Sequence, residues 1–253
     1  MAGRLNRVAW NAFDMAFRPW MRHHLRVCTN GFPVTVLPPG PVVLVSNHVS
    51  WWDGFLLRAV QKSIRPQSAF YTIALERELE QHPILRMIGG VGMIPSSPSS
   101  ILHSMRVLKK KCVEEPDTVI GFFPQGRIAP SFTRPLAFTR GIELFARRIG
   151  SLTVLPIALH IEPVTGMAPT AFVRVGEPIR AHDGLVNAKM LEDRVESMLD
   201  ATLASLSLHG EDSVRHWNKV ADADLNAAEL RKPTGVSRAA GTEPHILAPE
   251  HHA

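Results

Sequence analysis

The sequence predicts a single α/β domain with a mostly parallel mixed sheet flanked by helices. An N-terminal amphipathic helix precedes the domain and a flexible C-terminal tail follows it. Two observations carry the fold class. Short strand-like runs alternate with helix-period segments from about residue 33 to residue 208, the pattern of a sheet whose crossovers are helices. One of the runs, VVLVS at 42–46, is apolar up to its last residue, as expected of a strand covered on both faces. A third observation sets the size: 253 residues with 45% hydrophobic content suffice for one domain with a real core.

Taken in order, residues 4–26 read RLNRVAWNAFDMAFRPWMRHHLR. Apolar and aromatic residues (Val8, Phe13, Met15, Phe17, Trp20) alternate with Arg4, Arg7, Arg18, Arg22 and Arg26, and Asp14 is the only acid. Basic residues with Trp and Phe on one helix describe a segment lying in a membrane interface. Four of the five tryptophans (Trp10, Trp20, Trp51, Trp52) fall within residues 1–52, and Trp favours the membrane–water boundary. The same stripe also fits an amphipathic helix packed on the domain. Pro19 is expected to bend or restart the helix. No stretch approaches the roughly 18–20 uninterrupted apolar residues of a spanning helix, and the start of the chain does not read as a secretory signal. The expected division is 1–30 as a membrane-surface segment, 31–210 as the domain and 211–253 as a largely flexible tail.

Within the domain the expected strands are 33–37, 42–46, 69–75, 92–95, 118–123, 152–160 and 171–175. The expected helices are 51–62, 77–88, 98–114, 140–149 and 186–208. Gly89-Gly90 marks the stop of the second helix, and Pro and Ser open the third. After about residue 210 the periodicity fades into Pro, Gly, Ser, Thr and Ala.

The net charge of +5 and pI near 9.6 fit nucleic acid, an anionic membrane or anionic substrates alike. No nucleic-acid motif is present, so the first of these falls away. The two cysteines, Cys28 and Cys112, have no metal or redox spacing, and a reducing compartment is the default. There is no metal-ligand cluster, no nucleotide phosphate loop and no Gly-x-Ser-x-Gly elbow, so neither metal nor cofactor is expected.

The sharpest feature is Asn47-His48-Val49-Ser50-Trp51-Trp52-Asp53, which follows the buried-strand run and opens a helix. Open α/β sheets bind ligands at the carboxyl ends of their strands. Histidine is the side chain best suited to take a proton near neutral pH. A carboxylate on its other nitrogen fixes the tautomer and stabilises the charged ring, and Asp53, one turn into the helix, can fold back to do so. No serine or cysteine nucleophile is then needed, because an acceptor hydroxyl can attack. Further on, Phe123-Pro124-Gln125-Gly126-Arg127 forms a strand-to-loop turn whose backbone and Arg127 can hold an anion or polar headgroup. His103 and His160 read as structural.

These blocks resemble the glycerolipid acyltransferase superfamily, which includes the bacterial 1-acylglycerol-3-phosphate acyltransferases. The likeness runs over about residues 40–180. His48 and Asp53 match the family's His-x4-Asp signature, which implies His48 as general base and Asp53 as its orienting partner. The second family block, Gly-x-x-Phe-Ile-Asp-Arg, is replaced by Gly90-Val91-Gly92-Met93-Ile94-Pro95-Ser96, with Ser96 where the phosphate-binding Arg stands. The third, Phe-Pro-Glu-Gly-Thr-Arg-Ser, has Gln125 for Glu, and Arg127 comes one place early. A subset of the superfamily resembles this Phe-Pro-Gln-Gly form, followed by Arg-Pro and Lys/Arg-Gly, here Arg134-Pro135 and Arg140-Gly141. By resemblance Gln125, Gly126, Arg127, Arg134 and Arg140 bind the acceptor. Val154–Leu159 and 175–179 match the remaining family stretches.

The resemblance implies transfer of a fatty acyl group from acyl-CoA or acyl carrier protein to a lyso-lipid hydroxyl, by default that of 1-acylglycerol 3-phosphate. The basic aromatic start of the chain, the lack of a spanning run and the reducing default lead to the expectation of a protein peripheral to the cytoplasmic face of a membrane. Ser96 and Gln125 leave other lipid acceptors open. A non-catalytic lipid-binding relative and a thioesterase-like hydrolase are the rival readings.

Overall fold

The computed structural model describes residues 2–30, 37–164 and 167–219. Among these, a nine-stranded mixed sheet forms the centre. In chain order its strands are β1 Arg26–Asn30, β2 Val42–Ser46, β3 Phe70–Leu75, β4 Gly90–Met93, β5 Val119–Phe122, β6 Leu152–Glu162, β7 Thr170–Val175, β8 Ile179–Ala181 and β9 Asn218–Lys219. The spatial order is β4-β3-β5-β2-β6-β7-β1-β9, with β8 paired to β6. From β4 across to β6 every neighbour pairs in parallel, and β1 also runs parallel to β7. The antiparallel pairs are β6 with β7, β6 with β8, and β1 with β9. The carboxyl ends of β2, β3, β4, β5 and β6 therefore lie along one edge of the domain.

Helices cover both faces. They are α1 Ala2–His24, α2 Asp53–Ile64, α3 Glu76–Gln81, α4 Pro83–Met87, α5 Pro98–Glu114, α6 Gly141–Ile149, α7 Ala188–His209 and α8 Ser213–His216. The period-2 alternation of the strands divides the core. Val43, Val45, Ile120, Phe122 and Val154 face α5, α6 and α7 through Leu108, Phe145, Leu191 and Val195. Val42, Leu44, Val119, Leu155 and Ile157 face α1 and α2 through Trp10, Phe55, Leu56 and Val60. The expected α/β architecture is thus the observed one.

The α1 helix packs on the domain through one face. Asn6 Nδ2 donates to the carbonyl of Phe70 at 3.0 Å and its Oδ1 accepts from the Phe70 amide at 2.9 Å, so one side chain serves both backbone groups at the start of β3. Buried Trp10 donates to the same carbonyl and lies beneath the Arg58 guanidinium, 5.0 Å from its ring centre. Asp14 accepts from both Arg58 and Lys62 of α2.

Several local expectations are corrected. The helix does not restart at Pro19 but runs unbroken from Ala2 to His24. Pro19 and Met15 are both exposed, so water can serve the carbonyl that a proline leaves without its N–H partner. Residues 77–88 form two short helices rather than one, because Pro83 forces His82 out of the helical region to φ −128°, ψ 74°. The fourth strand begins at Gly90, earlier than expected. Residues 26–30, expected in the N-terminal segment, form a strand within the sheet. Residues 213–219, expected in the tail, form α8 and β9, with Trp217 buried edge-on against Phe172. The expected strand at 33–37 lies outside the described residues except for Leu37.

Candidate active site

The site forms where β2 ends and α2 begins, at the carboxyl edge of the parallel strands. Asn47, fully buried, leaves β2 and clips itself to β6: Nδ2 donates to the Leu159 carbonyl at 2.8 Å and Oδ1 accepts from the Leu159 amide at 2.8 Å. This fixes the chain at the residue before His48. The imidazole of His48 stacks on Phe123, with ring centres 4.3 Å apart and planes at 19°.

Asp53 is fully buried, yet its carboxylate is surrounded by donors. Oδ2 accepts from His48 Nδ1 at 2.7 Å, from the Val49 amide at 2.6 Å and from the Ser50 amide at 3.0 Å. Oδ1 accepts from Ser50 Oγ at 2.8 Å. Four hydrogen bonds replace the water that burial removes, which is the condition for keeping a charge inside a protein. An anionic Asp53 requires the proton on His48 Nδ1, so Nε2 carries the lone pair. No partner occupies Nε2 among the described residues, and the His48 side chain keeps 23% of its surface open. A histidine held in this way can take a proton from a hydroxyl placed before it, while Asp53 stabilises the charged ring.

The loop after β5 closes the other wall. Its opening turn is made by Gly126, at φ +64°, a conformation that favours glycine. Gln125, nearly buried, turns Oε1 onto the His48 backbone amide at 2.7 Å, which leaves its Nε2 amide as the end not used by His48. The Ala129 amide donates to the His48 carbonyl at 2.8 Å. Both main-chain groups of His48 are therefore tied to this loop. Two residues on, Ser131 Oγ and His160 Nδ1 share a buried 2.6 Å hydrogen bond that staples the loop to β6. Burial lowers the pKa of His160 below its ordinary value, against a smaller raising effect of Glu162.

The structure brings together His48, Asp53 and Gln125, with exposed Gly126 and Arg127 beside them. It does not bring Arg134 or Arg140 to His48 by any contact. Arg134 is engaged by the carbonyls of Ser131 and Thr133 and by Asp200 of α7. Arg140 is exposed and pairs with Glu143 at the start of α6. Sequence reasoning missed the contacts of Asn47, Ser50, Phe123 and Ser131; Asn47 and Ser50 gave a signal as polar residues flanking His48, Phe123 as the start of the Phe-Pro-Gln-Gly block, and Ser131 gave none. The two thiols are no rival nucleophiles. Both are buried, and burial pushes Cys112 up to about 12, so it stays a thiol near neutral pH. Among the described residues no group of His, Cys, Asp and Glu could hold a metal ion.

Fold and site together define an α/β protein with an aspartate-held histidine at the carboxyl edge of its sheet. The model of the Acyltransferase family matches residues 33–160, just over half of the chain. The protein belongs to that family. The matched span contains His48, Asp53 and the loop from Gln125. Among solved structures it is similar to the crystal structure of the 1-acyl-sn-glycerophosphate (LPA) acyltransferase PlsC from Thermotoga maritima. That likeness is 18% identical, covers 77% of each chain and has a TM-score of 0.47.

Proposed function

We propose that this acyltransferase moves a fatty acyl group from the thioester of acyl-CoA or acyl carrier protein to a hydroxyl of a lyso-lipid, with His48 as general base and Asp53 as its orienting partner. One observation carries the reading: His48 Nδ1 is committed to Asp53 at 2.7 Å while Nε2 is left for a ligand. The acceptor hydroxyl gives its proton to Nε2 as its oxygen attacks the thioester carbonyl. The tetrahedral intermediate then expels the thiolate, which takes the proton back from His48. An ester and a free thiol are formed and the enzyme returns to its starting state.

Gln125 acts first as a positioning residue, since its oxygen holds the His48 backbone, and its amide end faces the acceptor. Gly126 gives the turn room, and exposed Arg127 supplies charge for an anionic headgroup. Arg134 holds the loop from the far side, and Arg140 stands at the loop's exposed end. The default acceptor is 1-acylglycerol 3-phosphate. Ser96 and neutral Gln125, at places where the family carries charged residues, favour testing acceptors without phosphate beside it.

Peripheral attachment to the cytoplasmic face of a membrane completes the proposal. No helix of the described residues is long and apolar enough to cross a membrane. The N-terminal helix ends in exposed Arg22, His23 and His24 and half-exposed Trp20. The test is a panel of phosphorylated and unphosphorylated lyso-lipids offered with labelled acyl-CoA and acyl carrier protein. Labelled lipid from at least one pair supports the proposal. Release of free fatty acid at the same rate with and without acceptor would replace it by a hydrolase.

A further inference from the structure

The loop that holds His48 has an inverted surface. From Ile128 to Phe132 alternate residues point in and out. The inward positions carry small residues, Ala129 at 9% exposure and Ser131 at 7%. The outward positions carry Ile128 at 55%, exposed Pro130 and Phe132 at 71%. A water-facing loop is expected to place its polar residues outward. The inversion is not a loose tip turned inside out. The Ala129 amide is bonded to the His48 carbonyl, the Ser131 hydroxyl to buried His160, and the Arg134 guanidinium to the Ser131 and Thr133 carbonyls. The apolar row is thus held outward by a fixed inner row.

Its neighbours share this character. Exposed Arg127 precedes Ile128. Trp51, 54% exposed, lies three residues from His48 and packs against Trp20 of α1, itself 42% exposed. His48 is thus flanked by exposed Trp51 in sequence and, through the bond from Ala129 to its carbonyl, by the apolar loop row that Arg127 adjoins. Apolar and aromatic side chains beside Arg match a membrane interface with anionic headgroups.

We propose that Ile128, Pro130 and Phe132 form a second membrane contact, which dips into the bilayer beside His48 while Trp20 and Trp51 rest on the same surface. This rests on the reading that the acceptor lies in a bilayer, and it explains how that acceptor reaches His48 without crossing water: the residues flanking His48 rest on the lipid. Occupancy of the same row by a second copy of the chain would be a different interaction, and the test separates the two.

Vesicle affinity is measured without any substrate, so it stands whether or not acyl transfer is detected. The double substitution Ile128→Glu and Phe132→Glu places two carboxylates at exposed positions and touches none of the residues assigned to the site. It is expected to weaken co-sedimentation with phosphatidylcholine–phosphatidylglycerol vesicles at least tenfold, from lost apolar burial and added repulsion. Its thermal melting should match the wild type. The single substitution Phe132→Trp should keep full vesicle binding and add fluorescence quenching by brominated lipid tails beyond that of the five native tryptophans. Unchanged vesicle affinity in the double variant, or no added quenching in Phe132→Trp, overturns the proposal. So does a wild-type dimer that the double variant converts to monomer with vesicle affinity intact. Wild-type acyl transfer with unchanged vesicle affinity would sink this inference alone; normal vesicle results with no transfer would sink the proposed reaction alone.

Discussion

Replacing Asp53 by Asn probes the site most finely, because the structure fixes what survives. Oδ2 receives three donors, two of them main-chain amides that cannot turn away. Oδ1 receives only the Ser50 hydroxyl, which can rotate and accept instead. In the Asp53→Asn variant the side-chain carbonyl therefore takes the Oδ2 place and the new amide faces Ser50. His48 keeps its tautomer, and what is lost is the negative charge opposite a ring that becomes cationic during transfer. Two unit charges about 4 Å apart interact by about 4 kcal/mol at an effective dielectric of about 20. At about 1.4 kcal/mol per factor of ten, turnover should fall about 10³-fold. Ser50→Ala removes one of the four donors to the Asp53 carboxylate, a bond to a charged group worth about 1.5–3 kcal/mol, and also the acceptor of the Trp52 amide, so its loss should be about 10–10²-fold, smaller than that of Asp53→Asn. Steady-state transfer from labelled acyl-CoA to a lyso-lipid measures both, with denaturant unfolding to show that the variants are folded. An Asp53→Asn rate within tenfold of wild type, or no lower than that of Ser50→Ala, would refute the electrostatic role.

Two further predictions concern the loop. Gln125→Leu leaves the His48 amide without its acceptor in a nearly buried place, which should cost about 1–3 kcal/mol of stability and lower kcat, whereas Gln125→Glu keeps an oxygen there and should remain within about 1 kcal/mol; urea unfolding separates them. His160 has a lowered pKa in the folded state, so the folded protein binds fewer protons than the unfolded chain once the pH drops below the ordinary 6.5. Stability from this group is present above that value and is lost as pH falls toward the folded pKa, at up to about 1.4 kcal/mol per pH unit. His160→Asn, which offers Ser131 an acceptor that does not titrate, should flatten this acid slope; an identical slope in the variant would place the titration elsewhere.

What the sequence disclosed follows from where the information sits. The apolar run of β2 and the helix periods of α5 and α7 are local, and they were legible. So was the pairing of His48 with Asp53, five residues apart, although Asp53 is the first residue of α2 rather than one turn into it, and a tight turn over 49–52 brings the two together. Strand β1 was not, since Arg26-Val27-Cys28-Thr29-Asn30 has no strand alternation of its own and is ordered by pairing with Thr170–Val175 far along the chain. Three-residue β8, paired with Leu152–Val154 of β6, is too short to show a pattern of its own. The break between α3 and α4 could have been read from Pro83. The basic aromatic stripe of α1 fitted two readings, and the helix has room for both: Trp10 is buried in the domain while Trp20 stays half exposed. The bond from Gln125 to the His48 backbone joins residues 77 positions apart, and no local pattern marks it. A resemblance could place Gln125 near the acceptor, but the geometry adds that its oxygen is spent on the chain itself.

The central claim is that His48 takes the proton from the acceptor hydroxyl, and the most direct measurement is the rate of His48→Ala beside wild type with a thioester donor and the preferred lyso-lipid. A general base in this place should be worth about 10²–10⁴-fold in turnover, with acceptor binding little changed. A loss below about tenfold would contradict the account.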